Sequence, residues 1–211
     1  MKITRVTCCL FMLLLSLLAF SFTTSSPRAH AASGNTIVFK FHGLSAFANF
    51  DSLVSPGSCV HNEVHVDAFQ NTVQKQTTSG ANVFIGQMNW CTNEQILFAN
   101  GSISNVTFQI DKTLLSASLN TIITVYDNVS NTTFPVSVNL TWTSDSAIGH
   151  ENQTLYNHTK GITENSHVNA DFRDATVSGT VSDGTTNFTP SPPFLAQTMS
   201  AKNFDVTITH P

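Results

Sequence analysis

Val136-Ser137-Val138-Asn139-Leu140-Thr141-Trp142 sets an apolar side chain at every second position and a polar one between. Successive side chains of an extended chain point to opposite faces, so this run reads as a strand buried on one side and wet on the other. The same arithmetic sets Val106, Phe108 and Ile110 against Asn105, Thr107, Gln109 and Asp111, and Phe204, Val206 and Ile208 against Asp205 and Thr207. Ile37, Phe39 and Phe41 share a face, as do Ala46, Ala48 and Phe50. Near 82–90 and 95–99 the chain is apolar on both faces, through Val83, Phe84, Ile85, Met88 and Trp90 and then Ile96, Leu97 and Phe98. That is the pattern of central strands, and both Trp90 and Trp142 read as core, with Trp90 packed against Cys91.

The punctuation between these runs agrees. Asn100-Gly101 and Asp183-Gly184 are hairpin-turn dipeptides, and Gly43, Ser55-Pro56-Gly57 and Ser79-Gly80 break other runs. Pro190 to Pro193 precede a final strand, residues 113–118 fit a helical turn or a strand equally, and residues 144–166 read as a long loop or irregular hairpin. No stretch has the period of a long helix. Eight to ten short strands at this spacing predict an all-β fold, a single antiparallel β-sandwich of jelly-roll or immunoglobulin-like type.

The first 31 residues are of another kind. Lys2 and Arg5 precede an apolar run from about Val6 to Phe22, and a polar stretch then ends in Ala29-His30-Ala31. This is the layout of a secretory signal peptide with an A-x-A cleavage site. The expectation is a signal peptide over 1–31 and a secreted, extracellular domain over 32–211, with no membrane insertion after cleavage. Six basic residues then face all thirteen acids, leaving seven net negative charges. Such a surface repels phosphate, which argues against nucleic acid and against docking on anionic membranes. Cys8 and Cys9 leave with the peptide. Cys59 and Cys91 remain, and an oxidising compartment makes one disulfide the expected outcome.

Three segments, Phe108-Gln109-Ile110-Asp111-Lys112, Leu140-Thr141-Trp142-Thr143 and the run from Gly179 to Pro190, resemble parts of small exported bacterial β-domains of no assigned activity. The resemblance implies a β-domain and carries no activity or site residue with it.

Candidate chemistry concentrates on the strand after Cys59. Val60, Val64, Val66 and Ala68 take one face, and His61, Glu63, His65 and Asp67 take the other. Alternate strand residues lie about 7 Å apart, so neighbouring members could grip a calcium or zinc ion if a third ligand came from elsewhere, His42, His150, His158 and His167 being the candidates. The plainer reading is a solvated face. No other cofactor is implied. A second cluster runs from His167 to Asp174 around Arg173, the one arginine left after cleavage, which fits a structural contact with Asp171 or Asp174, a cap on one end of the sandwich, or a grip on a ligand carboxylate. Tyr156, beside His158 in the long polar stretch, is the expected carbohydrate contact, so Tyr156, His158, His167 and Arg173 form the candidate ligand set.

Eight N-x-[ST] triplets, at Asn100, Asn105, Asn128, Asn131, Asn139, Asn152, Asn157 and Asn187, are glycan acceptors only in a glycosylating host. G-x-S-x-G, H-E-x-x-H, P-loop and dinucleotide motifs are missing. The favoured expectation is a non-catalytic binding or surface module, monomeric or weakly associated, whose partner is a glycan or a cell-surface protein. The alternatives are a small extracellular hydrolase or metal-dependent enzyme, and a structural envelope component that assembles through its edge strands.

Overall fold

The computed structural model describes residues 36–53, 57–159 and 162–209. The expected signal peptide, and Ser55 and Pro56 of the predicted Ser55-Pro56-Gly57 break, lie outside them. Twelve strands run in chain order: β1 (Thr36–Leu53), β2 (Val60–Val73), β3 (Gln76–Asn89), β4 (Glu94–Ser104), β5 (Phe108–Ile110), β6 (Ser116–Asp127), β7 (Thr132–Thr143), β8 (Gly149–Thr159), β9 (Ile162–Asp174), β10 (Thr176–Ser182), β11 (Asn187–Phe188) and β12 (Ser191–Thr209). Among the described residues no helix is long and apolar enough to cross a membrane.

All the strands join one antiparallel sheet in the order β11-β10-β7-β6-β4-β3-β2-β1-β12-β9-β8, with β5 added against β6. The sheet turns back over itself. Trp142 on β7 is fully buried and its indole Nε1 donates to the Phe47 carbonyl of β1 at 2.8 Å, although the two strands stand five places apart in the sheet order. Ala175 N donates to Ala196 O, and the Thr198 hydroxyl to Leu114 O at 2.7 Å, tying the same two ends together. Between them lies the main core, in which Phe50, Val64, Val66, Val83 and Ile85 meet Ile123, Val136, Val138, Leu140 and Trp142.

A second, smaller cluster sits on the opposite face of the sheet. Phe41, Phe204, Val206 and Val168 are packed there, with Phe39 meeting Phe204 edge-on and Phe41 meeting Phe69 edge-on. The two apolar sets expected at the start of the domain are therefore alternate registers of a single 18-residue strand, β1, which buries one face along its second half and the other along its first. A register shift between β1 and β12 after Phe41 separates the two zones.

Several punctuation marks are corrected. Asn100-Gly101 is no turn but lies inside β4, where β6 crosses so close that a Cβ on Gly101 would meet the Thr124 carbonyl oxygen at 2.3 Å. Ser79-Gly80 is likewise inside β3. The tight turn between β2 and β3 falls instead at Gln74 and Lys75, both at positive φ, as a type I′ hairpin turn requires. Asp183-Gly184 does turn, with Gly184 at φ +90° and the Asp183 carboxylate accepting from Thr185 N and Thr186 N. Residues 144–166 contain the arm β8 and the start of β9, and Ser116–Ser118 open β6 rather than a helix.

Candidate functional site

The outward register of β2 carries His61, Glu63, His65 and Asp67, while Asn62, Val64, Val66 and Ala68 are buried on the other side, as the alternation predicts. Strand pairing decides their neighbours. Asp51 of β1 stands opposite Glu63, Phe47 opposite Asp67, and on the other flank Phe84 stands opposite His65 and Asn82 opposite Asp67. His61 Nε2 lies 3.3 Å from Asp51 Oδ1, and His65 Nε2 lies 2.8 Å from Glu63 Oε1. Each histidine is thus committed to one carboxylate. Among the described residues no group of three or more His, Cys, Asp or Glu side chains is arranged to hold a metal ion.

The acids respond to these surroundings in opposite ways. The hydrogen bond from His65 holds the Glu63 carboxyl below its ordinary value, against the opposing effect of burial. Burial pushes the Asp67 carboxyl up to about 6, with the nearby His65 ring pulling weakly the other way.

Aromatic rings occupy the rest of this face. From β1 to β4 the rings Phe47, His65, Phe84 and Phe98 follow one another at centroid distances of 6.4, 5.4 and 5.2 Å, each tilted or edge-on to the next. At the end of β3, Trp90 lies nearly parallel over His61, with 4.5 Å between centroids and 23° between planes. The indole is 65% exposed and Phe98 42% exposed, beside a similarly exposed Ile96. Trp90 is correspondingly not a core residue. It stands outside on a turn that is pinned: its N–H donates to Cys59 O at 2.9 Å, Cys59 and Cys91 form the expected disulfide, and Asn89 Oδ1 accepts from Cys91 N and Thr92 N.

An indole 65% exposed and stacked on a histidine ring is suited to lie against a flat apolar surface, such as the C–H face of a sugar ring. Asp51 and Glu63, each nearly half exposed, are acceptors within the same patch for hydroxyl groups.

The second candidate set is only partly brought together. Tyr156, His158 and His167 lie on one face of the β8–β9 hairpin, on successive rungs: His158 Nδ1 meets the Thr163 hydroxyl at 2.9 Å, Tyr156 stands opposite Asn165, and His167 Nδ1 meets the Thr154 hydroxyl at 3.1 Å. Tyr156 is 68% exposed. Arg173 is six residues further along β9, about 20 Å away. Its Nε donates to Thr113 O at 2.9 Å and its Nη1 to Ser146 O, so it closes one end of the fold through carbonyls rather than through Asp171 or Asp174. Asp171 is taken by His150 at 2.6 Å and Lys202 at 3.7 Å.

Sequence reasoning missed Phe47, Asp51, Phe84, Trp90 and Phe98. The signal was present in the parity of β3: Val83 and Ile85 are core, so Phe84 between them must face out. Comparison with models of known protein families, with curated proteins and with solved structures finds no match. The site is therefore read from its own geometry.

Proposed function

We propose that the chain is a secreted, non-catalytic binding module of the extracellular space, exported by residues 1–31 and folded over 32–211, whose ligand is a carbohydrate laid against the Trp90 face. The observation that carries the reading is the exposed Trp90 indole, stacked on His61 and fixed beside the Cys59–Cys91 disulfide, with Asp51 and Glu63 close by. The facing of β6, β7 and β10 against β1–β3 across one core supports a sandwich-type scaffold of jelly-roll or immunoglobulin-like kind for this surface. A disulfide fits an oxidising compartment.

The electrostatics weigh against hydrolysis at the same place. Asp51 and Glu63 stand opposite each other on neighbouring strands, as a pair of glycosidase carboxylates would. A general acid, however, needs a raised pKa, and His65 holds Glu63 low, while the carboxyl that is raised on this face, Asp67, stands opposite Phe47 and Asn82 rather than opposite a second carboxylate. The test is affinity electrophoresis and calorimetry of the purified protein against a panel of neutral and cationic polysaccharides, comparing Trp90→Ala with Tyr156→Ala. Trp90→Ala should weaken binding at least ~10-fold, the loss of one good stacking contact. Absence of any glycan binding, or a loss confined to Tyr156→Ala, would remove the Trp90 face as the carbohydrate site.

A further inference from the structure

The two edges of the sheet are unequal. At one end β11 has two residues, its Phe188 is fully buried, and Pro190 follows after one intervening residue. A short edge with proline beside it offers little to another strand. At the other end β8 is 11 residues long, pairs with β9 on one side, and has no strand against its other side among the described residues. Its sequence, Gly-His-Glu-Asn-Gln-Thr-Leu-Tyr-Asn-His-Thr, contains no proline and no lysine, and Glu151 is its one formal charge at neutral pH. Beyond that single charge, neither proline, lysine nor a paired strand protects this edge among the described residues.

We propose that β8 is a self-association edge, pairing antiparallel with β8 of a second copy about a dyad at Thr154, so that one sheet runs through both molecules. The occupant follows from what that pairing sets side by side. About Thr154, Gln153 meets Leu155 of the second copy, Asn152 meets Tyr156, and Glu151 meets Asn157. Glu151 therefore meets no like charge.

The apolar pattern of the sheet also continues in this direction. The rung Phe39–Val206–Ser166–Leu155 crosses β1, β12, β9 and β8 on the face of the smaller cluster, and it ends on a Leu155 that is 39% exposed. In the dyad the two Leu155 side chains become diagonal neighbours on that face, within reach of each other. The cluster is then closed by its own copy. An edge contact of this length falls below the area of a standard interface, so the dimer is a weak, concentration-dependent one.

Sedimentation equilibrium over a concentration series tests this. The protein is made in a non-glycosylating host, because Asn152-Gln153-Thr154 and Asn157-His158-Thr159 are acceptor triplets on this strand. A reversible monomer–dimer equilibrium is expected. Leu155→Lys should weaken it at least ~10-fold by placing two lysines diagonally across the dyad, with the thermal melt of the dilute protein unchanged. Adding Gln153→Glu to that variant sets a Glu–Lys pair on either side of Thr154 and should restore dimerisation, most strongly at low salt. A protein monomeric at every concentration, a dimer indifferent to Leu155→Lys, or a double variant no better than the single one would each overturn the proposal.

Discussion

The outer surfaces of two parts of the same sheet share a core and differ in almost everything else. On β6, β7 and β10 the outward positions are residues such as Ser118, Asn120, Ser137, Asn139, Thr141 and Ser178, uncharged and polar. On β1 to β4 the same register holds Phe47, His65, Phe84 and Phe98, with Glu63, Asp67 and Trp90 around them. Alternation sorts inside from outside equally well in both. What marks the second surface is its outward composition, since the rings and carboxylates there do nothing for the main core and the burial of Asp67 lowers stability. A half-buried acid and an exposed indole on the same four strands are what the proposed binding function draws on.

The comparison can be broken most directly at the core. Trp142→Ala should destabilise the protein by about 3 to 5 kcal/mol, read by chemical denaturation, because it empties a fully buried volume and leaves the Phe47 carbonyl without its donor. Its outward neighbour Thr141→Ala should stay within about 0.5 kcal/mol. Equal costs at the two positions would mean that β7 is not the two-faced strand described.

Next in size is the staple. Replacing Cys59 and Cys91 together by Ser should cost about 3 to 4 kcal/mol by loop entropy, and should also red-shift and broaden tryptophan emission as the turn around Trp90 loosens. An unchanged emission spectrum would separate the disulfide from the aromatic face.

The smallest effect has the opposite sign. Asp67 ordinarily titrates near 3.8 and in the folded protein near 6. Between those values the native state keeps a proton that the unfolded chain has released, so stability falls as pH rises through the window and the full penalty stands above it. Asp67→Asn should therefore be more stable than the parent by about 3 kcal/mol at pH 7.5, and the difference should vanish near pH 4. A melt difference independent of pH would show that the carboxyl is not strained by its surroundings.

Much of this architecture is legible in the chain. The core residues of β7, β2 and β12 follow from period two, and the pairing of Cys59 with Cys91 from compartment and count. The failures have a common physical origin. A residue such as Phe84 or Trp90 is as apolar as its buried neighbours, so hydrophobicity without parity assigns it to the interior. Gly101 marks the close crossing of two strands rather than a turn, and only the partner strand reveals that. The histidine and acid row was visible on β2, but its partners Asp51 and Phe84 come from other strands, and register is not written in a single segment.

One topological feature also bears on how the molecule is made. The outermost described residues of β1 and β12 are paired, Thr36 with Thr209, and β1 lies between β2 and β12. Nearly the whole domain must be strung out before that ladder can close, which places its formation late and makes folding slow for a chain of this size. Until β12 arrives, β1 is an open edge bearing Phe39 and Phe41. Delay of this sort suits a polypeptide that has to thread through a membrane unstructured and acquire its shape on the far side, as the proposed export requires.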